Sequence, residues 1–142
     1  MIFITHNLGV VDKVADFVNV MYAGKIVEAG TAEEVFFDPR HPYTWGLLSS
    51  MPSVNADRSS RLYTIKGNPP NMLNEITGDA FAPRNPYALD IDFVKEPPAF
   101  PVSETHWAAT WLLDPRAPHV EMPQQLRERI AAMKEEGEEV QA

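Results

Sequence analysis

Met1-Ile2-Phe3-Ile4-Thr5-His6-Asn7-Leu8-Gly9-Val10-Val11 is the stretch on which the reading of the fold turns. Its first five residues are apolar and β-prone. The polar pair His6-Asn7 then gives way to helical spacing, in which Leu8, Val11, Val14 and Ala15 share one face of a short helix ending near Asp16. His6 sits where the strand-like run ends and the helix-like one begins. In open α/β sheets phosphate ligands bind at that edge. A neutral imidazole there can accept one hydrogen bond and donate another, which suits holding an attacking water against a terminal phosphate. Position alone favours a structural or surface histidine, and both readings stand at this point. Because strand-like sequence opens the chain with nothing before it, the chain is expected to begin within a domain.

Working outward, Phe17 to Tyr22 and Lys25 to Glu28 read as strands joined by a tight turn at Ala23-Gly24. Thr31 and Glu34 have the spacing of a capping box, so a helix should open there, carry Val35, Phe36 and Phe37, and stop at Asp38-Pro39. A second helix is expected from about Pro42 to Ser50, with Tyr43, Trp45, Leu47 and Leu48 on its apolar side, before Pro52 breaks it. Residues 53–60 are polar and read as a linker, which divides the chain into residues 1–52 and residues 53–142. Beyond it Leu62 to Lys66 alternates like a strand and Gly67-Asn68-Pro69-Pro70-Asn71 reads as a turn. No periodic segment is found from Met72 to Val102. Thr105 to Leu113 reads as a strand or a buried turn. Pro123 suits the first position of a terminal helix, in which Leu126, Ile130 and Met133 recur at helical spacing to about Glu136.

Composition narrows the functional classes. With 142 residues, 44% of them hydrophobic, the chain can bury one modest core or two small ones, and 13 prolines imply long irregular stretches between short elements. A net charge of -8 with no cluster of Lys or Arg disfavours a nucleic-acid partner. The run Glu135, Glu136, Glu138 and Glu139 reads as a solvated helix end. With no cysteine, neither a disulfide nor a thiolate metal site can form. The apolar runs fall far short of a membrane span and no signal peptide opens the chain, so a cytoplasmic protein is expected. His41, between Arg40 and Pro42, reads as a helix-entry residue before a metal ligand, and His106 and His119 lack partners at metal-ligand spacing. Trp45, Phe81, Tyr87, Phe93, Phe100, Trp107 and Trp111 could form a stacking platform. Without interleaved basic residues they read as the core of a loop-rich region.

Several of these segments resemble one family in order. Phe3-Ile4-Thr5-His6-Asn7-Leu8-Gly9-Val10-Val11 resembles the switch-histidine segment of ABC transporter ATPases, in the variant found in dipeptide and oligopeptide importers. Met21-Tyr22-Ala23-Gly24-Lys25-Ile26-Val27-Glu28-Ala29-Gly30 is similar to the hairpin that follows it, and Pro39-Arg40-His41-Pro42-Tyr43-Thr44 to the stretch after the last core helices. Gly67-Asn68-Pro69-Pro70-Asn71 and Phe81-Ala82-Pro83-Arg84-Asn85-Pro86-Tyr87-Ala88 resemble the extra C-terminal region of that subfamily. The resemblance implies that His6 is the switch histidine, contacting the γ-phosphate of ATP and helping place the hydrolytic water in a complete, magnesium-dependent subunit. No other phosphate-binding residue carries over, because the chain contains no G-x-x-x-x-G-K-[ST] loop, no magnesium-binding carboxylate ending a buried strand and no serine-glycine-glycine signature. It should therefore be catalytically silent alone. Some members carry four cysteines suited to an iron–sulfur cluster, and those positions fall here on Asp79, Asn85, Asp92 and Thr110. None is a thiolate, so no iron–sulfur cluster is expected. The four read as polar loop positions, and they make a poor case for a hard cation.

The expectation from all of this is an α/β chain. Residues 1–52 would be a partial ABC ATPase core, a sheet edge with short helices, and residues 53–142 a small loop-rich extension with a terminal helix. The implied function is that of the C-terminal part of the ATP-binding subunit of an oligopeptide importer. The implied partners are permease subunits and a second ATPase subunit at the inner face of the cell membrane. A homo-oligomer formed through the apolar N-terminal strand is a further expectation. The rival reading is a stand-alone interaction or regulatory module that never touches nucleotide.

Overall fold

The computed structural model describes residues 2–5, 8–50 and 65–141. The expected linker at 53–60, most of the expected strand at 62–66, and His6 itself lie outside the described residues. The chain forms a small α/β unit: α1 (Leu8–Val14), β1 (Phe17–Tyr22), β2 (Lys25–Thr31), α2 (Ala32–Phe37), α3 (Pro42–Ser49), β3 (Phe100–Pro101), β4 (Trp107–Ala108) and α4 (Gln124–Gln141). Single 3-10 turns at Ala82–Arg84, Asp90–Phe93 and Trp111–Leu113 punctuate the C-terminal half.

The β1–β2 hairpin turns through Ala23 (φ 51°) and Gly24 (φ 78°), the double left-handed conformation whose twist matches two antiparallel strands. Alternation along β1 buries Val18, Val20 and Tyr22 and leaves Phe17 and Met21 exposed. The sheet order is β1-β2-β4-β3, every pair antiparallel. Glu28 and Ala29 of β2 lie opposite Ala108 and Trp107 of β4, and Ala109 N–H donates to the Val27 carbonyl at 2.7 Å. Strands from the two ends of the chain thus share one sheet. Val27, Val35, Phe36, Trp45, Leu48 and Phe81 fill the core beneath the hairpin, and Leu126 and Ile130 of α4 close it from the helical side.

Several expectations need correction. Residues 2–5 form no strand, and Ile2 and Ile4 are 92% and 94% exposed. The neighbour that β2 takes up is β4, and no strand among the described residues pairs with residues 2–5, so their β-propensity goes unused. In α1 and the residue after it, Leu8, Val11 and Ala15 pack on the core while Val14 is exposed. At 100° per residue Val14 falls about 90° away from the mean direction of the other three. Ile65 and Lys66 are not in a strand. β2 runs on to Thr31 because β1 pairs with it as far as Phe17 opposite Thr31, and α4 continues to Gln141. Phe93 is half exposed and so is no part of the aromatic core, unlike the buried Trp45, Phe81 and Trp111.

Candidate functional site

The polar centre of the described residues is Glu28, which is fully buried in the middle of β2. Its carboxylate accepts from Arg40 N–H at 2.9 Å (Oε2) and 3.2 Å (Oε1), from His41 N–H at 2.9 Å, and approaches His106 Nε2 at 2.6 Å. An ionised carboxylate offers only acceptors, so against it His106 presents an Nε2 proton. This arrangement ties three segments together: the hairpin, the α2–α3 connection and the turn before β4. The imidazole fits because residue 30 is glycine. A Cβ there would stand 3.1 Å from His106 Cδ2.

A second carboxylate caps the same corner. Thr31 and Glu34 form the expected capping box, with Thr31 Oγ1 accepting from Glu34 N–H at 3.2 Å and Glu34 Oε1 accepting from Thr31 N–H at 3.1 Å. Glu34 also accepts from Ser103 Oγ at 2.6 Å and Thr105 Oγ1 at 2.5 Å, and those two hydroxyls hold its pKa down at about 2. His41 is the N-cap of α3, as its helix-entry position implied, with Nδ1 accepting from Tyr43 N–H at 3.0 Å. That bond fixes the proton on Nε2, which is buried without a hydrogen-bond partner. Burial holds the His41 pKa at about 3, only partly offset by the Ala109 backbone, so the ring stays neutral.

The other sequence candidates separate. Asp79, Asn85, Asp92 and Thr110 are all buried, and each accepts a local backbone N–H, from Phe81, Tyr87, Leu89 and Leu112 respectively. Each polar side chain therefore staples its own loop. His119 is exposed beside Glu121 at 3.5 Å. Trp45 Nε1 donates to Pro39 O at 2.8 Å and its ring stands edge-on to Tyr87, as a core residue would. What sequence reasoning missed is the pairing of Glu28 with His106. An acidic residue inside the apolar strand Lys25-Ile26-Val27-Glu28-Ala29 was the available signal, since such a side chain needs a partner when buried.

Chemically this centre positions backbone, holding the amides of Arg40 and His41 on one carboxylate. The cavity lined by Trp45, Phe81, Arg84 and Tyr87 measures about 10 Å³, the space of a single water molecule. No group of three or more metal-ligating side chains occurs among the described residues, and none of their helices is long and apolar enough to cross a membrane.

Residues 27–91 match the family described as the oligopeptide/dipeptide transporter, C-terminal region. The stretch covers the buried Glu28, both caps and the 3-10 turn at Ala82–Arg84, and the chain belongs to that family by this match and by its relatives. Among them, the oligopeptide transport ATP-binding protein OppD of Bacillus subtilis is 56% identical over 130 residues, which are 92% of this chain and 36% of that protein. The oligopeptide transport ATP-binding protein AmiE of Streptococcus pneumoniae is 62% identical over 122 residues, 86% of this chain and 34% of that protein. The dipeptide transport ATP-binding protein DppD of Lactococcus lactis is 62% identical over 120 residues, 84% and 34% respectively. The chain thus spans about a third of the length of these relatives.

Proposed function

We propose that this chain serves as the C-terminal part of the ATP-binding subunit of an oligopeptide or dipeptide importer, whose complete form couples ATP binding and hydrolysis to peptide import. The observation that carries the reading is the 56–62% identity, over more than four-fifths of this chain, to proteins named as peptide-transport ATP-binding proteins. In this reading residues 1–52 are the end of the ATPase domain and residues 53–142 the extension with its terminal helix. His6 is the switch histidine, its imidazole bonding a γ-phosphate oxygen of ATP and steadying the attacking water. ATP with Mg2+ is the substrate of the complete subunit. The phosphate loop and the magnesium ligands are supplied from outside this chain, which contains no G-x-x-x-x-G-K-[ST] sequence. The complete subunit lies at the cytoplasmic face of the membrane against permease subunits and pairs with a second ATPase subunit. The extension helps bring the two together.

Two measurements test this. In the complete subunit, His6→Ala should lower ATP turnover by about 100-fold or more while nucleotide binding survives. Undiminished turnover would remove His6 from the mechanism. Titration calorimetry of the present chain with ATP and magnesium should show no binding. A micromolar Kd would correspond to about -8 kcal/mol, more than one imidazole can supply, and would sink the assignment.

A further inference from the structure

Two buried carboxylates take no part in the centre around Glu28. Asp79 and Asp92 lie on segments pressed together backbone to backbone, with Asp79 N–H donating to the Asp92 carbonyl at 2.7 Å. Gly78 makes the approach possible, since at φ +77° its missing Cβ would stand 2.2 Å from that carbonyl oxygen. Asp79 accepts from Phe81 N–H at 3.1 Å and Asp92 from Leu89 N–H at 2.7 Å. Neither carboxylate forms an ion pair among the described residues. The charged groups facing Asp79 are Asp92 and Glu96 on the segment 89–96 and Lys25 in the β1–β2 turn. That segment is held mainly by polar contacts: the Asp79–Asp92 backbone bond, the Lys25–Glu96 pair at 2.5 Å, and Trp111 Nε1 on the Lys95 carbonyl at 2.9 Å. Its Phe93 and Val94 are exposed, so little apolar burial secures it.

We propose that Asp79 and Asp92 form a proton-gated clasp, in which residues 89–96 stay docked on the Asp79 segment while one carboxyl is protonated and loosen when both are ionised. Burial is the largest influence on Asp79 and raises it. The Phe81 N–H lowers it, the charges of Asp92 and Glu96 raise it, Lys25 lowers it, and the result is a pKa of about 6. Burial also raises Asp92, only partly opposed by the Leu89 N–H. A carboxyl whose pKa is higher docked than free favours the docked state below its free value of 3.8, loses that advantage as pH rises to about 6, and changes little beyond. Like charges brought together in a poorly solvated site act in this direction.

Carboxyl NMR titration of the full chain is the primary test, and it should place the Asp79 midpoint near 6. Amide exchange, corrected for intrinsic rates, should show the Asp79 N–H and residues 92–96 opening about tenfold more readily at pH 8 than at pH 5, with Asp79→Asn abolishing the difference. The asparagine keeps an oxygen for the Phe81 N–H, and Asp92→Asn should lower the Asp79 midpoint. An Asp79 midpoint near 4, or identical exchange profiles in wild type and Asp79→Asn, would overturn the clasp. Should a variant fail to fold, the wild-type midpoint decides alone.

Discussion

His106 Nε2 lies 2.6 Å from Glu28 Oε2, and the two side chains, 78 residues apart in sequence, are both closed off from solvent. Glu28 also holds the amides of Arg40 and His41, so removing the imidazole strands a carboxylate that cannot leave without unmaking the α2–α3 connection. His106→Ala is expected to cost about 3 kcal/mol or more, the range for breaking one side of a buried pair. Urea unfolding measures it. In a double-mutant cycle with Glu28→Gln, the second change should cost far less than the first. Independent, additive losses would mean that the contact carries little energy.

Two groups set the acid limb of stability in separate windows. Glu34 is depressed from 4.5 to about 2 by the Ser103 and Thr105 hydroxyls, so its contribution is complete above about 4.5 and lost as pH falls towards 2. Glu34→Gln should therefore flatten the unfolding profile below pH 4.5.

His41 is held neutral, with its pKa at about 3 against 6.5, so the folded state loses ground as pH falls through 6.5 and the unfolded chain takes up the proton. His41→Asn keeps an N-cap acceptor without titrating. The advantage of wild type over this variant should shrink by on the order of 3 kcal/mol between pH 7 and pH 4. A constant difference across that range would mean that the ring titrates normally. Comparing each variant with wild type matters, because Asp79 shifts stability the opposite way between about pH 4 and 6.

Gly24 and Gly78 have nearly the same backbone, φ 78° and 77°, yet alanine should be tolerated far better at the first. Both substitutions carry the left-handed penalty of about 1–2 kcal/mol. At Gly24 the nearest atom is the flexible Met72 Cε at 4.0 Å, whereas at Gly78 it is the Asp92 backbone oxygen at 2.2 Å. Thermal unfolding should show Gly78→Ala as the more damaging by several degrees. Equal losses would mean that the 78–92 contact is soft.

Ile2, Phe3, Ile4, Phe17 and Met21, all in the first part of the sequence, are exposed. The isolated chain should self-associate through these residues, because solvent contact with so much apolar side chain is unfavourable. Light scattering over a dilution series should show dimers or larger species, and Ile2→Ser with Ile4→Ser should shift them to monomer. A wild-type monomer at every concentration would end this expectation.

Local grammar made half of the fold legible. The Ala23-Gly24 turn, the Thr31–Glu34 box, the proline-led α3 and the spacing of Leu126, Ile130 and Met133 each announce an element within a few residues. Residues 72–102 did not yield to periodicity because their order comes from single 3-10 turns, a two-residue strand and side chains that bond their own loops. Glu28 and His106 gave no local sign of each other, since nothing in the chain near either residue encodes a partner so distant. Residues 2–5 misled for the opposite reason, having strong strand propensity with no adjacent strand among the described residues to receive it.

The reach of β2 to β4 also sets a schedule for the newborn chain. On a ribosome adding about 5–20 residues each second, Glu28 emerges roughly 4–16 seconds before the His106 that will neutralise its isolation. During that interval the β2 edge that β4 will take up is unpaired, and its carboxylate must remain hydrated. The hairpin's apolar face cannot seal, so the first third of this chain waits, open, for the last.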